Sequence, residues 1–95
     1  MRSINRLLLM EDPSLCLLFP DVARIGETMV CCFLAAPSHS NRHDAELRFL
    51  VSLDEGETWT PADTSFKART GYWFNSPRIT TQGTSRFLVV VDALP

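Results

Sequence analysis

Residues 52–59 read Ser52-Leu53-Asp54-Glu55-Gly56-Glu57-Thr58-Trp59. Serine, aspartate, glycine and threonine at alternate positions describe a tight turn. An aspartate in a turn accepts hydrogen bonds from nearby backbone N–H groups. Glycine takes a positive φ without a Cβ penalty. Ser52 or Thr58 can tie the two arms, and Trp59 can pack back over a sheet. The residues just before the turn alternate. Ala45, Leu47, Phe49 and Val51 fall on one face, and Glu46 and Arg48 on the other, the pattern of a half-buried strand. A strand running into such a turn points to an all-β chain.

Working outward, residues 29–35 form a continuous apolar run, expected of a strand buried on both faces. Residues 86–91 form another, rich in β-branched side chains. Turn-forming residues separate these runs at Gly26-Glu27, 37–43, 54–56, 61–64 and Gln82-Gly83. No window keeps a helical apolar stripe between caps. Two of the stretches also repeat. With Pro77 laid on Pro20, Ile79 falls on Val22, Gly83 on Gly26, Ser85 on Thr28, and residues 87–91 on 30–34, with no gap. Each copy reads as strand, glycine turn, strand, which is a hairpin. A repeat of this length is the mark of a solenoid, propeller or array.

The chain has 95 residues, of which 45% are hydrophobic, too apolar for a disordered segment and too short for more than one small domain. Its net charge of -2 gives no basic field for nucleic acid or an anionic membrane. The apolar run at 7–10 is ended by Glu11-Asp12-Pro13. It falls short of the ~7–15 residues of a secretory core, and nothing approaches the ~20 residues of a membrane span. We therefore expect neither a signal peptide nor a membrane anchor. The three cysteines are an odd number, and Cys31 and Cys32 are adjacent, so in a strand they point to opposite faces. Free thiols fit a reducing, cytoplasmic compartment. No Cys/His spacing suits zinc, and no glycine-rich phosphate loop or Ser-His-Asp signature is present, so neither a metal nor a cofactor is expected.

At this point a resemblance emerges. Ser52-x-Asp54-x-Gly56-x-Thr58-Trp59 fits the Asp-box, S-x-D-x-G-x-T-W, at every defined position. The chain resembles the sialidase (neuraminidase)-like BNR-repeat β-propellers, in which the box joins the third and fourth strands of a blade. Residues 19–25 look like the innermost strand that opens a blade, and 75–79 like that of the next. The resemblance implies a partial propeller: one four-stranded antiparallel blade over 19–66, then an inter-blade loop and the first hairpin of a second blade over 67–95. Residues 1–18 are an N-terminal segment whose part 4–10 is expected to be an outer, closing strand. At this repeat length six blades would take roughly 340 residues, so the chain is expected to be a piece of something larger or a module that must assemble.

In propellers, function gathers on the innermost strands and on the loops at one end of the channel. The candidates on that rule are Asp21, Arg24, Arg78, His39, His43 and Asp44. The resemblance implies that Arg24, Asp21, Arg78 and His39 contact substrate. Sialidases grip a carboxylate with arginines, and Arg suits that role through planar bidentate donation. The family's Phe-Arg-Ile-Pro motif is replaced by Phe19-Pro20-Asp21-Val22, so its arginine is missing. Arg24 either stands in for it or is a surface cation. Arg78 either faces the channel or bridges to Asp21 or another acid. Asp44, in the loop matching that of the family's acid/base aspartate, is either the general acid or a turn cap. Sialidases use a Tyr nucleophile, but Tyr72 does not match its position. Tyr72-Trp73-Phe74 forms either a sugar-stacking cluster or core packing. Asp-boxes lie on the outer rim in this family, so Ser52, Asp54, Gly56, Thr58 and Trp59 are expected to be structural.

The implied function is that of a sialidase-like exo-glycosidase fragment hydrolysing terminal, acidic sugars, inactive by itself. The alternative is a non-catalytic BNR-repeat module that binds a glycan or a protein. The expected partners are a glycan, the remaining blades, or further copies joined through open strand edges, which are sticky.

Overall fold

The computed structural model describes residues 16–37 and 42–95. The expected outer strand at 4–10 and His39 lie outside the described residues. What is described is all-β, with antiparallel pairing throughout and one short 3-10 turn at Arg42–Asp44. Strands β1 (Cys16–Ile25), β2 (Thr28–Ala36) and β3 (Glu46–Ser52) follow one another across a first sheet. Its fourth position is filled by two short pieces, β4 (Thr60–Pro61) and β5 (Phe66–Lys67), both paired to β3. The break follows from Pro61, which has no N–H for the ladder and belongs on an edge. Strands β6 (Trp73–Gln82) and β7 (Arg86–Leu94) form a second, two-stranded sheet.

The two hairpins repeat in geometry as well as in sequence. Strands β1 and β6 each carry a bulge, between Leu18 and Asp21 and between Asn75 and Arg78. Phe19 and Ser76, one residue before Pro20 and Pro77, take positive φ of 53° and 46°. Proline is tolerated there because a bulged residue owes no hydrogen bond to the ladder. Strands β1 and β6 therefore begin ahead of the expected residues Phe19 and Asn75, since the bulge carries the ladder past the proline. Gly26 and Gly83 open the turns with φ of 60° and 64°. The first turn holds two residues, with positive φ only at the first, as in a type II′ hairpin.

The second turn is longer by one residue, and here the ungapped alignment fails. Ile25 pairs with Thr28, whereas Gln82 pairs with Arg86. Val30 pairs with Ala23, but Thr80, which matches Ala23, pairs with Leu88 and not with Phe87. A one-residue slip moves every side chain of a strand to the other face. The slip points Phe87, Val89 and Val91 toward the first sheet, where they pack with Ile79 and Phe74 against Cys32, Leu34, Ala45 and Leu47. The two sheets thus share one core. The opposite face of the first sheet carries Cys31, Phe33, Ala35 and Leu50 with Leu17, Val22 and Trp59 packed on them. Strand β2, buried on both faces, accounts for the unbroken apolar run, and its two neighbouring cysteines fall one on each side.

Candidate functional site

The antiparallel order of strands gives the molecule two ends. At one end lie the Gly26-Glu27 turn, the 83–85 turn and the Asp-box turn after β3. At the other lie the 37–45 connection, the starts of β1 and β6, and the end of β7.

The Asp-box consumes its own polar groups. Buried Ser52 Oγ accepts the Gly56 N–H at 2.8 Å and donates to Asp54 Oδ1 at 2.7 Å. Asp54 Oδ1 also accepts the Thr58 N–H at 2.9 Å, and Oδ2 accepts the Thr58 hydroxyl at 2.6 Å. These bonds, with those of Thr58 foremost, hold the Asp54 carboxyl down at about 2 against an ordinary 3.8. Trp59 Nε1 donates to the Gly56 carbonyl at 3.1 Å. Gly56 has φ of 88°, which selects glycine, and a Cβ there would lie 3.3 Å from Met29 Sδ, a tight contact. Glu55 N–H donates to the Glu27 carbonyl at 2.9 Å, which fastens the box to the first hairpin. The side chains of Ser52, Asp54 and Thr58 are thus bonded to one another and to the backbone of the turn.

Arg24 belongs to this same end. Its Nε donates to the Gly26 carbonyl at 2.6 Å and its guanidinium lies 3.5 Å from Glu55. Asp21 sits beyond the bulge of β1, and its Oδ2 accepts the Ile79 N–H at 3.0 Å across the gap between the sheets. Arg78 does not bridge to Asp21. Its neighbour Ile79 points into the shared core, so alternation turns Arg78 to the far side of the second sheet, beside its exposed partner Val90. The structure therefore does not bring Asp21, Arg24 and Arg78 to one place.

At the other end, the 3-10 turn brings His43 and Asp44 against the start of β6. The His43 ring meets the Trp73 indole edge-on, with centroids 6.4 Å apart and planes at 67°. The Arg69 guanidinium lies 4.1 Å from the centre of the Tyr72 ring, and the Tyr72 N–H donates to the Arg69 carbonyl at 2.9 Å. Of the aromatic trio, Phe74 packs on the shared core, while Tyr72 and Trp73 stay half-buried. His43 and Asp44 are exposed. Sequence reasoning singled out Asp44 and the aromatic trio separately. It missed Arg69, whose only signal is a spacing of three residues from Tyr72 across a Gly turn.

A groove of about 240 Å³ opens on the first sheet among Phe33, Glu46, Arg48, Leu50, Pro61 and Ser65. Two of its charges pair: Arg48 lies 3.0 Å from Glu46 and holds that carboxyl below the usual range, while Asp63 also lines the groove. Among the described residues, no three His, Cys, Asp or Glu side chains converge as a metal site would require, and no helix is long and apolar enough to cross a membrane. The chain matches no protein-family model, no curated protein and no solved structure.

Proposed function

We propose that the two sheets are consecutive blades of the β-propeller type and that the chain is a non-catalytic Asp-box module which binds a glycan. The observation that carries the blade reading is the repeated bulged hairpin, proline and positive-φ residue included, stacked on its own copy through a shared apolar core. The ligand end we assign is the one bearing His43, Asp44, Tyr72 and Trp73. Aromatic faces receive the apolar face of a sugar ring, while a carboxylate and an imidazole beside them take its hydroxyls. Binding is favoured over hydrolysis because the candidates for gripping a substrate carboxylate are dispersed. Arg24 is held at the box end and Arg78 lies on the far face of the second sheet.

The test is a titration of the chain with sialylated and neutral oligosaccharides, followed by calorimetry. Binding that is lost in Trp73→Ala and kept in Arg24→Ala is the expected result; no binding of either class of sugar sinks the proposal. The hydrolase reading keeps one supporting observation, the placement of Asp44 beside the aromatic end. It requires turnover of a fluorogenic sialoside that disappears in Asp44→Asn.

A further inference from the structure

Strand β7 is hydrogen-bonded to β6 on one side, and among the described residues no strand pairs with its other side. The corresponding strand of the first sheet, β2, carries β3 there. The open edge reads Arg86-Phe87-Leu88-Val89-Val90-Val91-Asp92-Ala93-Leu94, without proline or glycine. Such an edge, long, regular and β-branched, is a template for another strand. One face of it already packs on the core through Phe87, Val89 and Val91. The other face exposes Leu88 by 45% and Val90 by 56%.

We infer that β7 pairs with β7 of a second copy, antiparallel, about a two-fold axis at Val89. The sequence selects both the direction and the register. The two charges on the strand are of opposite sign and flank the apolar run equally about Val89. An antiparallel pair centred on Val89 sets Arg86 opposite the partner's Asp92, twice, once at each end. It sets Phe87 opposite Val91 and Leu88 opposite Val90, so core-facing and outward-facing rows both continue across the junction. Centring on Val90 would instead put Leu88 opposite Asp92 and Arg86 opposite Leu94. Parallel in-register stacking would set Arg86 on Arg86 and Asp92 on Asp92, which is repulsive. The charges thus favour a closed pair over an open stack. The product is a four-stranded sheet, β6 and β7 of each copy, with the edge of β7 used up. The inference is independent of the glycan reading, since the aromatic end takes no part in it.

Sedimentation equilibrium of the 95-residue chain tests it, with Arg86→Asp, Asp92→Arg and the combined exchange. Arg86 and Asp92 are both exposed, and circular dichroism checks that each variant keeps its strands. The wild type is expected to be a concentration-dependent dimer. Each single reversal places two like-charge pairs across the junction and weakens the dimer by about tenfold or more. The double exchange restores opposite charges and returns the affinity to within a few-fold of wild type. A monomeric wild type at all concentrations overturns the inference. So does a dimer indifferent to the single reversals, a double exchange as weak as either single, or growth beyond the dimer.

Discussion

Both carboxylate oxygens of Asp54 accept from Thr58, one from its N–H and one from its hydroxyl, while Ser52 donates to the first of them. All of these bonds favour the charged form, which is why the carboxyl titrates at about 2. A folded pKa below the unfolded one contributes stability that is complete above about pH 5 and is lost as pH falls through the unfolded value toward the folded one. We expect Asp54→Asn to be less stable than wild type at neutral pH, with the difference in urea midpoint shrinking between about pH 4 and about pH 2. A difference that stays constant over that range would mean that the charge is not the source. The thiols of Cys31 and Cys32 show the opposite shift. Burial first, and then neighbouring negative charge, Asp21 included, pushes each up to about 11. Native-state burial of a neutral thiol adds nothing below the unfolded pKa and costs stability as pH rises beyond it. At about pH 8 such a thiol is thiolate on the order of one part in a thousand. A thiol reagent should therefore modify Cys16, which is half-buried, well ahead of the other two in the native chain, and all of them in urea. Equal rates for the three in the native state would contradict this picture.

Strands β2, β3 and β7 were legible as runs of apolar or alternating residues because period and burial leave a direct trace in sequence. The phase of β7 was not. Residues 87–91 are all apolar, and an unbroken apolar run carries no alternation from which to read which side faces the core. The glycine of the turn aligned both copies correctly, but the one extra residue after it left no signal in composition. The divided fourth strand was likewise hidden, since Pro61 marks a turn and an edge equally well. Phase is open to a direct test. Val89 faces the shared core and Val90 faces out. Val89→Thr puts a hydroxyl into partly apolar surroundings and should cost about 1–2 kcal/mol. Val90→Thr keeps the β-branch on an exposed face and should stay within about 0.5 kcal/mol. Urea denaturation at low protein concentration separates the two, and the reverse order would restore the ungapped alignment.

On the scale of the molecule, the two sheets are joined by apolar packing and by the directional bond from the Ile79 N–H to Asp21. The resemblance to propellers made Asp21 a candidate for substrate, as an acid on the strand expected to be innermost. Its partner is a backbone N–H in the second repeat, and nothing in the local sequence points to a donor so distant. The bond does what packing cannot: it fixes the height of β6 against β1, bulge beside bulge. An apolar interface between two sheets tolerates sliding by small amounts, whereas a charged acceptor within 3.0 Å of a single N–H does not. Asp21→Ala removes the acceptor and leaves the half-buried Ile79 N–H without one, at a cost of about 1–3 kcal/mol. Asp21→Asn keeps an oxygen in place and should lose less. Hydrogen exchange reports on the bond itself. In Asp21→Ala the Ile79 amide is expected to exchange faster by tenfold or more, by about the factor that this loss implies, while amides of the β2–β3 ladder slow or quicken only with global stability. If the Ile79 amide kept its protection in Asp21→Ala, the Asp21 carboxylate would not be what fixes the register of the two sheets.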